Sequence, residues 1–173
     1  MIKYIKNLLT KTELKIAHKY ALIRHKSNMN SFDEAQTLLG ETAFYSDPLM
    51  ELLLEKVTPR VEKELGKPVW PTYSYLRVYN ECSKLVKHTD RPACQVSVSC
   101  TLGRDKEWPL IVEGKKIIIH PGDGLLYYGE KVKHWREEYE GDYQAQVFFH
   151  YVEKKGKYAD EKFDRRQYLG LKK

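Results

Sequence analysis

The sequence predicts a mainly β protein, an antiparallel sandwich or jelly roll that follows a set of N-terminal helices. Two observations support this fold class. Before Tyr73 the apolar residues recur at helical spacing, and from Tyr73 onward they alternate with polar residues, as in strands. Strand candidates then follow one another with no helix between them, which is typical of antiparallel sheets that pack face to face. These eight candidates are residues 72–79, 83–88, 93–102, 108–113, 116–120, 124–128, 131–136 and 143–152.

The first elements have recognisable start signals. Residues 2–6 are expected to form a short leading strand. Thr10 and Glu13 form a capping box, in which each side chain satisfies a free backbone amide at a helix start. A helix is therefore expected from about Lys11 to His25.

A second helix is bounded on both sides. Asp47 is a good cap residue, Pro48 suits the first helical position, and Gly66 suits the stop after Leu65. Pro59 lies inside this segment and is expected to kink or interrupt the helix, because proline lacks the amide that the helix needs.

The strand candidates have one apolar and one polar face. The alternation is clearest in residues 73–79, 93–102 and 143–152. In one interpretation the apolar faces pack together and the polar faces meet solvent. In the other, the apolar faces pack against the helices and the polar faces line a wet cavity between two sheets. The second is favoured, because two amphipathic helices need a surface to cover.

Length and composition fit one domain that can bury a core. The chain has 173 residues, of which 42% are hydrophobic and 31% charged, with a net charge of +6. No apolar run approaches the ~18 residues of a membrane helix, and lysines interrupt the apolar N-terminus, so no signal peptide is expected. The three cysteines indicate reduced thiols and a cytoplasmic protein.

We expect a single domain over residues 1–153, with a mostly helical lead-in over 1–70 and a β-barrel core over 71–153, followed by a charged tail over 154–173. The tail is basic but also contains three acidic residues, so nucleic-acid binding is not indicated. The sequence does not predict an oligomeric state.

His88, Asp90 and His134 are the candidate metal ligands. His88 and Asp90 are two residues apart at a strand end, so their side chains point to the same side. His134 lies 44 residues beyond Asp90 on the seventh strand candidate. Two imidazoles and one carboxylate suit iron(II) oxygenases, because three coordination positions remain open. The H-x-D tripeptide alone is weak evidence for a metal site. Its position among the strand candidates favours the interpretation as a metal site.

Residues 79–90 (YNECSKLVKHTD) resemble the Y-x-x-G-x-x-x-x-x-H-x-D segment of iron(II)/2-oxoglutarate-dependent dioxygenases, most closely the prolyl-4-hydroxylase-like branch. Residues 119–126 (IHPGDGLL) and 133–135 (KHW) add to the resemblance, which covers roughly residues 70–152.

The resemblance implies a double-stranded β-helix, a jelly-roll or cupin-like barrel flanked by helices. It also implies an iron(II) cofactor and 2-oxoglutarate as co-substrate. The reaction implied converts 2-oxoglutarate and oxygen to succinate and carbon dioxide and hydroxylates an unactivated C–H bond. Prolyl or another protein side chain is the substrate class it favours, with a small molecule or a nucleobase as alternatives.

One position departs from the family. The family usually places a basic residue about ten residues after the distal histidine, where it pairs with the far carboxylate of 2-oxoglutarate; here this residue is Gln144. Arg136, two residues after His134 on the same strand, is the first substitute, and Arg77 is the second. Tyr79 matches a family tyrosine that contacts the co-substrate. Arg136 has an alternative role as a partner of the glutamates that follow it.

Other polar residues have candidate roles. Arg91 follows Asp90 directly and is expected to bind substrate at the mouth of the pocket, with orientation of Asp90 or a surface role as alternatives. Gln144, Gln146 and His150 are expected to line the pocket or brace the metal ligands. His120 is interpreted as a strand-end histidine rather than a ligand.

Two other functions remain open from the residues. The first is a cupin-like metalloprotein that does not use 2-oxoglutarate, which the missing basic residue supports. The second is a non-catalytic β-sandwich binding module, in which His88, Asp90 and His134 would lie apart.

Overall fold

The computed structural model describes residues 1–27 and 41–171. The helices are α1 (Lys11–Ser27) and α2 (Pro48–Leu65), and short 3-10 helices lie at Pro92–Cys94 and Ala159–Arg165. The strands are β1 (Ile2–Ile5), β2 (Thr42–Tyr45), β3 (Val69–Asn80), β4 (Leu85–His88), β5 (Val96–Arg104), β6 (Leu110–Val112), β7 (Lys115–Ile117), β8 (Gly124–Tyr127), β9 (His134–Arg136) and β10 (Tyr143–Glu153).

The strands form two antiparallel sheets. The larger has the order β1-β8-β5-β10-β3-β2, and the smaller has the order β4-β9-β6-β7. From β3 to β10 the chain passes back and forth between the two sheets, as it does in a double-stranded β-helix. The expected fold class is therefore confirmed.

The two helices cover the outer face of the larger sheet. Apolar residues of α1 and α2 and of strands β3, β5 and β10 form one buried cluster, whose members include Ala17, Ala21, Met50, Leu54, Val57, Val61, Val78, Val98, Cys100, Val147, Phe149 and Tyr151. This is the largest buried apolar cluster of the described residues. The polar faces of the same strands turn toward the smaller sheet, which confirms the cavity interpretation.

The helix ends are capped as the sequence indicates. The Thr10 amide donates to Glu13 (2.8 Å), and the Glu13 amide donates to the Thr10 hydroxyl (3.2 Å). In α2 the Asp47 carboxylate accepts from two backbone amides, and Gly66 ends the helix with a left-handed φ of 75°.

Pro59 does not interrupt α2, which runs as one helix from Pro48 to Leu65, so the expectation of a break is wrong. Pro59 and Glu55, whose carbonyl loses its helical donor, both lie on the exposed side of the helix. Water can therefore satisfy that carbonyl, which lowers the cost of the proline.

All eight strand candidates contain a strand, with shifted ends. The third candidate begins in the 3-10 helix Pro92–Cys94, and its strand starts at Val96. β2 (Thr42–Tyr45) was not expected, because four residues with no alternation give no periodic signal. β7 forms one end of the smaller sheet, where Lys115 and Lys116 are exposed.

The segment after β10 lies against the barrel. Residues 154–171 include the 3-10 helix Ala159–Arg165, in which Glu161 and Asp164 are buried. Arg166 donates to the buried carboxylate of Glu51 on α2 (2.7 Å). Ion pairs therefore hold this charged segment on the domain.

Within residues 1–27 and 41–171, no helix has both the length and the apolar character needed to cross a membrane.

Candidate metal centre

The barrel brings the three candidate ligands together. β4 and β9 pair so that His88 and His134 lie opposite each other, and Asp90 follows two residues after β4. The Asp90 Oδ1 atom lies 3.4 Å from Nε2 of His88 and 3.4 Å from Nε2 of His134. One ligand atom from each residue lies within 4.8 Å of the others. These atoms can share one ion.

Both imidazoles are oriented by backbone carbonyls. Nδ1 of His88 lies 2.6 Å from the carbonyl of Val86, and Nδ1 of His134 lies 3.1 Å from the carbonyl of Val132. A carbonyl only accepts, so each Nδ1 holds a proton. Each Nε2 faces Asp90, to which it donates when the ring is protonated, and it offers a lone pair to a metal ion when the ring is neutral. Metal-binding histidines typically have this arrangement. The residues present therefore fit a divalent metal ion.

Asp90 is fixed from two further sides. Its amide donates to the carbonyl of Gly129 (2.8 Å), and its Oδ2 atom accepts from the Ser97 hydroxyl (2.8 Å). A Cβ on Gly129 would lie 2.0 Å from Oδ2, so only glycine fits at this position. The carboxylate thus keeps Oδ1 for the two histidines.

The charges of the three side chains stabilise one another. Burial raises the pKa of Asp90, but hydrogen bonds from His134 and His88 outweigh it, and the pKa lies well below its usual range. The same hydrogen bond to Asp90 raises the pKa of His88. Asp90 is therefore ionised at neutral pH, as a metal ligand must be.

A cavity of about 460 Å³ opens beside these ligands, between the two sheets. Its wall is largely aromatic, and the polar side chains Arg77, Arg91 and His150 also face it. The aromatic residues are Tyr45, Tyr73, Tyr75, Tyr79, Tyr127 and Phe148. Its volume is in the range of small-molecule sites.

Like Gln144 and Gln146, Arg136 is not among the described residues that line the cavity, and it lies buried inside the barrel. It donates to the carbonyl of Trp108 and to Oε1 of Gln146 (3.2 Å), and its guanidinium lies over the Trp108 ring. Within residues 1–27 and 41–171 no carboxylate pairs with it, and its Nε has no hydrogen-bond partner. Burial lowers its pKa to about 10. Tyr79 and Tyr127, which line the cavity, are its electrostatic neighbours.

Arg77 is placed differently. It faces the cavity but forms a buried ion pair with Glu41 at 2.5 Å, and its guanidinium lies 4.4 Å from the centre of the Tyr79 ring. Tyr79 is fully buried, and its hydroxyl has no hydrogen-bond partner among the described residues. Of the two arginines, Arg77 therefore has its charge compensated by a carboxylate and Arg136 does not.

Arg91 lies on the cavity wall, over the Tyr73 ring. Its guanidinium binds the Asp164 carboxylate through two hydrogen bonds, and its described hydrogen bonds do not include one to Asp90. Arg91 thus connects the cavity wall to the C-terminal segment rather than orienting the metal carboxylate directly.

The remaining polar residues of the barrel interior form a connected set. Gln144 donates to Gln146 (2.9 Å), and Gln146 donates to Ser99 (2.8 Å). The Nδ1 atom of His150 lies 3.0 Å from the Ser97 hydroxyl, and burial lowers the pKa of His150 to about 4, so its ring is neutral. His120 is exposed at a turn, as its interpretation required.

Ser97 and Gly129 were not among the candidate site residues. The polar face of the strand that contains Ser97 was recognised, but its contact with Asp90 depends on a loop closure that the sequence does not show. Gly129 lies between the strand candidates 124–128 and 131–136, where a glycine indicates only a turn. Its signal, a glycine shortly before His134, becomes clear only once Asp90 is seen to pack against it.

No family model matches the chain, and no curated protein matches its sequence. Solved structures match its fold. A Pseudomonas putida prolyl-4-hydroxylase has a TM-score of 0.67 at 12% identity, over 86% of this chain and 91% of that chain. EctD from S. alaskensis with bound Fe has a TM-score of 0.69 at 13% identity, over 88% and 72%.

The non-heme alpha ketoglutarate dependent epimerase SnoN from nogalamycin biosynthesis has a TM-score of 0.69 at 10% identity, over 88% of this chain and 78% of that chain. At such identities the likeness shows the fold alone. These neighbours include proteins of the family that the sequence resembles, so the resemblance is confirmed at the level of the fold.

Proposed function

We propose that the protein is an iron(II)- and 2-oxoglutarate-dependent oxygenase that hydroxylates an unactivated C–H bond. The main support is the arrangement of His88, Asp90 and His134, whose ligand atoms converge while both Nδ1 atoms face backbone carbonyls. When bound, iron(II) with 2-oxoglutarate and oxygen supplies the oxidising chemistry, and 2-oxoglutarate becomes succinate and carbon dioxide.

The far carboxylate of 2-oxoglutarate is proposed to bind Arg136. A buried guanidinium without a carboxylate partner is costly, and an anion that reaches it removes that cost. Tyr79, whose buried hydroxyl has no partner among the described residues, and Gln144, which stands at the family's basic position, are the neighbouring polar groups. Arg77 is the second choice, because Glu41 already binds it.

The aromatic cavity is proposed to hold the substrate. Its rings suit a ring-bearing group, either a prolyl or other side chain of a protein or a small molecule, and Arg91 at its wall is proposed to contact the substrate. The side chain of His134 is 3% exposed and that of His88 is 28% exposed, so the candidate centre is open to solvent and substrate at His88. The protein's own groups orient what enters.

The alternative of a cupin-like metalloprotein without 2-oxoglutarate has one supporting observation, since Gln144 replaces the usual basic residue. Arg136 weakens this alternative, because it supplies an uncompensated cation inside the barrel. A non-catalytic binding module would not require three metal-binding side chains to lie close together.

The test is a succinate assay with protein reconstituted in iron(II), 2-oxoglutarate and oxygen. We expect succinate from the wild type and none from His88→Ala or Asp90→Ala, with all three proteins folded by circular dichroism. Metal binding without any succinate would favour the cupin-like alternative. Absence of a thermal shift with Mn(II) would favour the binding module.

A further inference from the structure

A chain of three side chains runs from the cavity wall to the candidate metal carboxylate. β5 and β10 pair so that Ser97 and His150 lie directly opposite each other. The Ser97 hydroxyl donates to Oδ2 of Asp90 at 2.8 Å and lies 3.0 Å from Nδ1 of His150. The chain therefore joins His150 to Asp90 through one serine.

The direction of these hydrogen bonds follows from the number of protons that the Ser97 hydroxyl can donate. Ser97 has one hydroxyl proton, and the ionised Asp90 oxygen is both the nearest and the strongest acceptor for it, ahead of the Cys94 carbonyl at 3.3 Å. The serine oxygen must then accept from His150. Nδ1 of His150 is therefore the protonated nitrogen, and its Nε2 is left with a lone pair.

The ring of His150 is held in place by its neighbours. Its centre lies 4.7 Å from that of Tyr73 and 6.3 Å from that of Phe148, to which it is nearly parallel. His150 faces the cavity, and the described hydrogen bonds of its ring include none at Nε2. The lone pair is thus a hydrogen-bond acceptor on the cavity wall.

We propose that His150 positions the metal carboxylate through Ser97 and at the same time presents Nε2 as an acceptor to an N–H or O–H group of the substrate. This proposal rests on the proposed function for the identity of the cavity's occupant. The bond to Oδ2 leaves Oδ1 facing the two histidines, so Oδ1 is the oxygen that would meet a metal ion.

The first experiment measures the affinity of metal-free protein for Mn(II) in matched variants. Asparagine can place an amide nitrogen where Nδ1 lies, and glutamine places its amide where Nε2 lies. We expect His150→Asn to bind Mn(II) within about threefold of the wild type, and His150→Gln and Ser97→Ala to bind it about 10- to 100-fold more weakly. Ser99→Ala, on the same face of β5, controls for a general effect on the strand.

Rescue by asparagine separates positioning from a merely structural role, since both His150 variants lose the ring. Equal losses in His150→Asn and His150→Gln, or an unchanged affinity in Ser97→Ala, would overturn the positioning role. The absorption spectrum of the Co(II) protein gives a second readout, and it should change in His150→Gln but not in His150→Asn.

The second experiment uses only the wild-type protein. Nitrogen-15 spectra of the histidine rings, in the metal-free and the Zn(II)-loaded wild type, report which ring nitrogen is protonated. We expect Nδ1 of His150 to be protonated and Nε2 to be free. A proton on Nε2 would overturn the acceptor role. Failure of the wild type to bind Mn(II) would instead count against the proposed function, and the ring spectra of the metal-free protein would still decide the tautomer.

Discussion

The guanidinium of Arg91 forms a two-pronged ion pair with the carboxylate of Asp164, with N–O distances of 2.7 Å and 2.9 Å. The two residues are 73 positions apart in the sequence. Asp164 is fully buried and also accepts a hydrogen bond from the Tyr45 hydroxyl at 2.5 Å. Because Arg91 follows the candidate ligand Asp90, this ion pair ties the C-terminal segment to the loop that contains Asp90.

The backbone around Asp164 is unusual as well. Residues 163–165 all have left-handed φ values, of 54°, 55° and 62°, and none of them is glycine. Such a run is costly for L-residues and persists only where the surrounding contacts hold it.

Arg91→Ala is therefore expected to destabilise the fold. The substitution removes a guanidinium that is 42% exposed from a fully buried carboxylate, which costs about 2 kcal/mol. Lys84→Ala is the control, since it breaks an exposed ion pair with Glu138 and should cost much less stability. Urea unfolding measures both, and equal losses would show that the Arg91 pair adds no more than a surface pair.

Arg136→Met should weaken the binding of 2-oxoglutarate without lowering the stability of the ligand-free protein. We expect the affinity of the Mn(II)-loaded protein for 2-oxoglutarate to fall at least about 30-fold, equivalent to about 2 kcal/mol. The melting temperature of the ligand-free protein should not fall, because a buried cation without a carboxylate partner is replaced by an apolar side chain.

Arg77→Met is the matched comparison for Arg136→Met. It should lower the melting temperature, because it removes the cation from the buried Glu41 carboxylate, and it should change 2-oxoglutarate affinity less. Calorimetric titration and thermal unfolding measure the two quantities. If Arg77→Met shows the larger loss of 2-oxoglutarate affinity, Arg136 is not the anchor.

Gly129→Ala should weaken Mn(II) binding by about 100-fold although no ligand is changed. The added Cβ would lie 2.0 Å from Oδ2 of Asp90, so the carboxylate must move. Gly66→Ala provides the contrast, because its left-handed φ of 75° makes alanine cost about 1 kcal/mol of stability without touching the site. Metal titration of the folded variants would refute this account if Gly129→Ala bound as tightly as Gly66→Ala.

Asp105 should make stability depend on pH in the acid range. Burial raises its pKa, but hydrogen bonds from the Tyr143 and Asp142 amides and the Tyr139 hydroxyl outweigh this and lower the pKa to about 2. Its folded-state pKa is below the unfolded value of about 3.9. The stability it adds is therefore complete above about pH 4 and is lost as the pH falls toward 2.

Unfolding free energies of the wild type and Asp105→Asn test this pH dependence. The advantage of the wild type should shrink between pH 5 and pH 2. An advantage that stays constant over that range would mean that ionisation of Asp105 does not stabilise the fold.

The sequence predicted the barrel and the common side of His88 and Asp90 because both depend on short-range spacing. The two-residue separation of His88 and Asp90 fixes their common side, and alternation fixes which face of a strand is apolar. The interior polar face was also foreseen, since the helices needed the apolar one.

Longer-range contacts could not be predicted in the same way. The bond from Ser97 to Asp90 depends on strand register and loop closure together, and the pair of Arg91 with Asp164 depends on the path of the last residues. A segment rich in charged residues is expected to be solvated. Asp164 is nevertheless buried, because Arg91, in the loop after β4, forms an ion pair with it. The continuity of α2 was also not predictable, because it depends on Pro59 facing water in the folded chain.

The lysines of β7 have a consequence for how the molecule behaves at high concentration. β7 is a three-residue strand at the end of the smaller sheet, and its outer edge pairs with no strand of the described part of the chain. Such an edge is a potential template for a strand from another molecule. Lys115 and Lys116 project from it into solvent, so a second copy approaching this edge would meet like charge. Exposed lysines on an edge strand are one way in which β proteins limit edge-to-edge aggregation.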